Sequence, residues 1–516
     1  MSDRIPTQLN RRTALKTAAG AGVLALAGCL SSDIETADMR IGAPWEASPD
    51  PLDGGSMLRR LGVTEALVGV DYDANPAPEL ATDWERRDER RWQFTLREDV
   101  TFHDGDSLDA AAAVESLERT LESAAFAALP IEGVEATDDA TVIVETETPF
   151  SPLPAHLSRN EAVILNPATF DEDGSVSEPV STGPFAVDSF ESAGGLSCTR
   201  HAAYHGDEPA IESVRYERVE DDQTRRMKLE GGELEMARIL PRRAIDALES
   251  ADGIDVYTPE IPRIRFLTFD TTSAPFDDER VRRAANYAMD LESLTESVLE
   301  GVDDPAVGPF STDVTEWANP DLDGYGHDPE RARGLLSDAG WSADPGQDGV
   351  RTRDGEPLEI EIPTFDARSL PLIAKVLQSD LSAVGFDVDV RTIEYNAMLE
   401  QVSQGSFDAY LTSWGTLYYP DPDRLAELFH SEEATLHHGY ENETVDTLLE
   451  EARKLTSRRA RKDRYYEIQS IVLEESPVAF LTNYTTVVAT QTDVNGYEPH
   501  PVESRYGLES ITVGDE

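Results

Sequence analysis

Between Leu370 and Leu411 the chain repeats one unit: an apolar stripe at helical spacing, a glycine, then a short run of strand formers. Ile373, Val376, Leu377, Leu381 and Val384 recur at three- and four-residue steps, so one helix face is apolar until Gly385 stops it. Phe386-Asp387-Val388-Asp389-Val390 follows with period two, as a strand. A short helix ending at Gly405 and the strand Phe407-Asp408-Ala409-Tyr410-Leu411 repeat the unit. Strands joined through helices pair in parallel and are covered by those helices, which places the chain in the α/β class.

The same grammar recurs elsewhere. Arg91-Trp92-Gln93-Phe94-Thr95-Leu96 alternates as a strand, His103-Asp104-Gly105-Asp106 turns, and an alanine-rich helix spans about 109–121. From Phe276 a single helix is predicted to run to Gly301, its buried face made by Val281, Ala284, Ala285, Ala288, Leu291 and Val298. Two helices, about 445–455 and 458–474, precede Pro477, and a strand is predicted from Val478 to Thr490. A length of 516 residues accommodates about three structural units.

The amino terminus carries a different signal. Arg11-Arg12 precedes an apolar run from Thr17 to Ala27, too short to span a bilayer as a helix, and Leu26-Ala27-Gly28-Cys29 closes it. Paired arginines look like a twin-arginine export signal, and the closing tetrapeptide resembles a lipobox in which Cys29 is lipidated. Residues 1–28 are therefore read as signal and 29–37 as tether, placing the mature protein on the outer face of the cell membrane. The other cysteine, Cys198, then lacks a partner within the chain and is expected in a buried strand.

Charge narrows the functional classes. Against 101 Asp+Glu stand 44 basic residues, of which only Lys16, Lys228, Lys375, Lys454 and Lys462 are lysine, and the net charge is -57. Such a surface repels nucleic acid and cannot dock on anionic lipid through a basic patch. Acids spread along the whole chain, with few lysine stems, suit concentrated salt, where the Debye length shrinks to about 3 Å and self-repulsion is screened.

Four stretches carry a family resemblance: Trp92-Gln93-Phe94-Thr95-Leu96-Arg97 with Val100-Thr101-Phe102-His103-Asp104-Gly105; Ser181-Thr182-Gly183-Pro184-Phe185; Phe276-Asp277-Asp278-Glu279-Arg280-Val281-Arg282-Arg283-Ala284; and Trp414-Gly415 with Tyr419-Pro420-Asp421-Pro422. In this order, behind a lipobox, the chain resembles the solute-binding lipoproteins of ABC importers in the dipeptide, oligopeptide and nickel group (family 5). The resemblance implies a two-lobed α/β periplasmic-binding-protein type II fold that closes on its ligand by hinge bending, with no resident cofactor. Lobe I would comprise 38–262 with an extra subdomain at 64–180, lobe II 263–489, and 490–516 would return to lobe I. The two hinge strands are expected near 265–270 and 487–492. Implied partners are a small-molecule or peptide ligand and a membrane permease, with the receptor itself a monomer.

The ligand stays open between two branches. Peptide-binding relatives usually place an aspartate soon after the tryptophan matching Trp414, where it pairs with an ammonium; here Leu417 stands there and the loop has an extra residue, so Asp421 could serve only if the loop is rearranged. The nickel-type branch, whose cargo is a metal in a carboxylate-bearing chelator, matches at Trp414, Tyr418, Arg159 and Met57, with His437 and His438 near its metal-contacting histidine. An arginine and a tryptophan that this branch has between Leu121 and Pro130 are missing. Outside transport, a sensor or adhesin on the same fold is the alternative. Catalysis is disfavoured because GxSxG, HExxH, phosphate-loop and Rossmann glycine motifs are absent.

Overall fold

Met39–Ala43 is buried along nearly its whole length, and a mixed seven-stranded sheet is built on either side of it. The computed structural model describes residues 38–343, 349–436 and 439–514. Ser213–Arg218 pairs parallel to Met39–Ala43 on one side and Met236–Arg238 on the other. Leu196–Arg200 and Phe185–Phe190 extend one edge; Val488–Gln491 and Ile254–Tyr257 complete the other. A strand buried on both faces need not alternate, and Met-Arg-Ile-Gly-Ala does not. Cys198 lies buried in Leu196–Arg200, and its thiol is pushed up by burial.

A four-stranded antiparallel sheet stands beside it, with Arg91–Leu96 and Thr141–Thr146 at its centre. Helix Ala110–Leu121 packs over it, and the Asp109 carboxylate caps its first turn by accepting from the Ala112 amide at 2.8 Å. Gly183 marks the return to the seven-stranded sheet. A Cβ there would sit 2.3 Å from the Gly62 carbonyl oxygen, so the close approach of these two chain segments requires glycine.

The second body is ordered by Glu260–Phe269, flanked antiparallel by Ala409–Gly415 and Val478–Thr485. Glu359–Thr364 and Asp387–Thr392 pair in parallel, with helix Leu370–Val384 packed against them in one apolar core. Parallel pairing thus holds for the first strand of the repeated unit but not the second. Asp408 ends the connection: its carbonyl accepts from Asp270 N and its carboxylate from Glu361 N, both at 2.8 Å, which aligns the next strand against Glu260–Phe269.

Two further expectations are corrected. The helix predicted to reach Gly301 stops at Ala288, because Asp290 caps a new turn, Leu291–Ser293, through the Ser293 amide, and Leu294–Val298 then winds as a π-helix. The strand predicted over 478–490 is two strands in different sheets. The chain changes sheet at Thr258–Pro259 and again at Thr486–Val487, whereas Arg265–Asp270 lies wholly inside the second body's sheet.

A single carboxylate bridges these crossings. Asp303, fully buried, accepts from Arg265 at 2.6 Å, from Arg242 at 2.9 Å and from the Thr485 amide at 2.8 Å. Arg242 follows Met236–Arg238 of the seven-stranded sheet and Arg265 belongs to the other sheet, so the aspartate ties both bodies at the hinge.

Buried histidines make the fold acid-sensitive. His103 Nε2 lies 3.1 Å from the Gly183 carbonyl, and His500 Nε2 lies 3.1 Å from that of Val70, docking the carboxyl-terminal segment. Burial pulls both imidazoles down to about 4. The unfolded chain takes up those protons near pH 6.5 and the folded chain does not, so stability present above that pH is lost as pH falls towards 4. Each histidine should remove about 2–3 kcal/mol by pH 4.5. Urea midpoints between pH 7 and 4.5 in constant molar salt measure this; the slope should flatten in H103Q/H500Q, and an equal slope in that variant would refute the assignment.

Candidate functional site

Two segments distant in sequence meet between the bodies. Shortly after helix Leu153–His156, Arg159 turns the chain into Asn160–Ala162 and carries its guanidinium over Phe126, 4.7 Å from the ring centroid. Arg159 Nη1 donates to the Ala125 carbonyl at 3.2 Å, and Nε lies 3.4 Å from Glu161. The segment 122–129, lacking the expected arginine and tryptophan, thus contributes a flat apolar face and a carbonyl instead.

From the opposite body come Trp414, Tyr418, Tyr419 and Arg424. Trp414 is half-buried at the end of Ala409–Gly415, opposite Ile264, and the Arg424 guanidinium lies 4.1 Å over its ring. Tyr418 is 40% exposed. Its hydroxyl donates to Glu161 at 3.2 Å and accepts from Asn160 Nδ2 at 3.3 Å, and its ring lies 5.9 Å from the Arg159 guanidinium and 5.0 Å from that of Arg424. The result is an aromatic wall faced by two cations, one from each body.

Of the residues singled out in the sequence, Arg159, Trp414 and Tyr418 converge here. Met57 does not: it is fully buried in the core beneath the seven-stranded sheet, its sulfur accepting from Arg60. Asp421 is also elsewhere engaged. It is buried in a two-point ion pair with Arg461, at 2.8 and 2.6 Å, and caps Pro422–Leu425 through the Asp423 amide. Leu417 points into the second body's apolar core, so neither position offers a carboxylate to an ammonium in the cleft. Cys29, His437 and His438 lie outside the described residues. Among the described residues no group of three or more His, Cys, Asp or Glu could hold a metal ion.

Behind the wall the bodies are clamped. His156 packs against Tyr419, ring centroids 4.1 Å apart, with Nε2 3.7 Å from Asp423. Asp423 pairs with Arg453 at 2.7 Å, while Ser151 donates from its amide and hydroxyl to the Arg453 and Leu455 carbonyls at 2.7 and 2.6 Å. Burial opposes the charge on Asp423, but Arg453 and then His156 hold its carboxyl well below the usual range. Burial drives His156 the other way, towards the neutral form.

Sequence reasoning missed a second part of the interface. A cavity of about 690 Å³ opens between the bodies, lined by Trp45, Arg242 and Tyr484 near the hinge and by Arg368, Ser369 and Leu372 from the second body. No motif distinguished these arginines among the 39 of their kind. Their only signal is Arg368-Ser369 just before an apolar helix, where a capping turn alone would be read.

This geometry has known counterparts. The profile for bacterial extracellular solute-binding proteins, family 5, matches residues 75–435. The chain belongs to this family. Among its relatives, the nickel-binding periplasmic protein of Escherichia coli (strain K12) is 26% identical over 420 residues, covering 77% of this chain and 80% of that protein. The glutathione-binding protein GsiB of Pectobacterium atrosepticum is 26% identical over 481 residues, covering 88% of this chain and 90% of that one. The crystal structure of a nickel ABC transporter protein from Bacillus halodurans superposes with a TM-score of 0.76 at 28% identity, covering 92% of this chain and 99% of its own. Family 5 proteins share the two-lobed type II fold, are solute-binding proteins rather than enzymes, and work with ABC permeases on peptide or nickel-chelate ligands. The two sheet bodies described above are the two lobes of that fold.

Because Arg461 is the partner of a buried carboxylate, R461A should cost about 3–5 kcal/mol by stranding Asp421. D421N/R461M, which keeps the capping oxygen and removes both charges, should cost much less. Urea unfolding in molar salt compares the two; equal losses would mean the pair is not what holds this loop.

Proposed function

We propose that the chain is a lipid-anchored receptor on the outer face of the membrane that captures a small carboxylate-bearing solute between its lobes and delivers it to an ABC permease. The observation that carries the reading is the joint wall of Arg159, stacked on Phe126, against Tyr418 and Trp414. A guanidinium matches a carboxylate in planar, two-point geometry, and the aromatic rings cover the rest of a small solute. Ligand contacts made to both lobes at once are those that favour closure, the form a permease would read.

The nickel-chelate class is favoured over peptides with a free ammonium, because Leu417 is apolar and buried and Asp421 is neutralised by Arg461. A buried ammonium without a carboxylate costs several kcal/mol. The nickel-binding relative supports this reading; the glutathione-binding relative supports a peptide bearing extra carboxylates. Export through the paired arginines, attachment through Cys29, a monomeric state and folding in concentrated salt complete the proposal.

The test is a thermal-shift panel in about 2–4 M KCl with nickel plus histidine, nickel plus a tricarboxylate, glutathione and neutral dipeptides. One ligand class should raise the melting temperature by mass action, by about 2.7 kcal/mol of stabilisation at a hundredfold excess over Kd. R159A and W414A should abolish that shift. If both variants respond like the parent, the ligand does not sit at this wall.

A further inference from the structure

We propose that the cleft contains a second anion subsite, formed by Arg263 and Arg368 beside Tyr484, so that the transported solute carries at least two anionic groups. This rests on the receptor reading above and names the charge of its ligand.

The first observation is a shortage of countercharge. Arg263 lies near the start of the second body's central strand, opposite Gly415. Its Nη1 reaches only the Ser413 carbonyl, at 3.4 Å, and its Nε is buried with no hydrogen-bond partner. Among the described residues, neither Arg263 nor Arg368 has a carboxylate within salt-bridge distance; buried Arg225, Arg282 and Arg351 also lack one, but each of those is held by several oxygen acceptors. Burial and then Arg368 disfavour the charged form of Arg263. A guanidinium does not give up its proton to relieve this, so the remedy is an anion.

The second observation is how many guanidiniums share this space. Tyr484 has three around its ring: Arg265 at 4.6 Å, Arg242 at 5.1 Å and Arg368 at 5.9 Å. Arg265 and Arg242 divide one aspartate between them. Arg263 stands in the central strand between Ile261, which pairs with Tyr484, and Ile264, which pairs with Asn483, and it is repelled by both Arg368 and Arg424. Arg368 lies over Tyr484, Arg424 over Trp414 and Tyr418, and Arg159 faces Tyr418 from the other body, so a row of guanidiniums runs from the hinge cavity to the aromatic wall. Arg424 keeps Nε and Nη1 buried without a hydrogen-bond partner, with Glu427 3.4 Å away as its carboxylate neighbour. Glu503 acts on both Arg263 and Arg368, but it already accepts from Arg238 at 3.3 Å and is also drawn on by Arg60. Glu220, Asp221, Glu300 and Asp366 also line the cavity but are exposed and screened by salt, and the half-buried Asp222 beside them acts on Arg225.

The third observation is backbone strain at the same point. Arg368 and Ser369 both adopt left-handed conformations, φ +48° and +61°, immediately before helix Leu370–Val384. Two consecutive non-glycine residues in this region are costly and persist where the surroundings require them. The Arg368 carbonyl is held by Arg265 Nε at 2.9 Å, and the side chain is thereby turned into the cavity.

Two planar forks separated along one cleft suit a solute with anionic groups at both ends, either carboxylates or phosphates. The chain's net charge of -57 would repel such a solute at long range, but in molar salt that field is screened within about 3 Å and the local arginine row decides.

The experiment compares citrate and pyrophosphate with acetate and glycyl-leucine, using the full chain at constant ionic strength near 2 M KCl. Citrate or pyrophosphate should raise the melting temperature beyond acetate, and which of the two does so separates carboxylate from phosphate recognition. R263Q and R368Q should each weaken the apparent affinity by about 10- to 100-fold, with R263K in between. If neither multivalent anion exceeds acetate in the parent protein, or the glutamine variants respond unchanged, the inference falls. A shift from glycyl-leucine that W414A abolishes, without any anion effect, would overturn the second subsite and leave the receptor reading intact. An anion effect sensitive to R263Q but indifferent to R159A and W414A would support the subsite and overturn the placement of ligand at the aromatic wall.

Discussion

The molecule turns on Asp303. Both chain crossings pass beside this one fully buried carboxylate, which takes hydrogen bonds from a guanidinium of each body and from the backbone where the last crossing begins. A buried charge of this kind contributes little net stability as a pair, but removing any member strands the others at high cost. Two cations around one anion also leave a unit of positive charge at the hinge. That surplus sits next to Tyr484, at the inner end of the cleft, so the element that joins the lobes also sets the electrostatic character of the space between them.

Much of the architecture was legible because local and global signals agree. The stripe Ile373, Leu377, Leu381, Val384 with Gly385 behind it gave the helix observed at Leu370–Val384, Gly385 itself adopting φ +112°. Strand partners were harder to read. Ala409–Gly415 follows a helix as a parallel strand would, yet a pair of Asp408 hydrogen bonds aligns it antiparallel to a strand from far upstream. Likewise Val478–Gln491 is continuous in hydropathy but divides between two sheets, because burial is equally good in both and periodicity does not report which sheet receives a strand.

At the site, aromatic landmarks were visible and charges were not. Trp414, Tyr418 and Arg159 stand in recognisable spacings and do meet. Asp421 and Met57 stood in equally suggestive places, and packing diverted them: one neutralises Arg461 and the other fills a core. Arg263 and Arg368 belong to a background of 39 arginines, and nothing in their neighbours marks them. What distinguishes them is a missing partner, a property that exists only once the chain is folded. Buried arginines elsewhere among the described residues have a carboxylate or several carbonyls, so one in the cleft with neither is the informative case.

The polar contacts across the cleft carry a thermodynamic consequence. Tyr418 bonds to Asn160 and Glu161 of the opposite lobe, and Ser151 to the Arg453 and Leu455 carbonyls. Such contacts between the lobes add to those a solute makes, so closure carries a smaller conformational handicap than in a receptor whose lobes touch only through their cargo. Such a protein exchanges sharpness of signal for tightness of capture, a balance set by a handful of hydrogen bonds rather than by the ligand pocket itself.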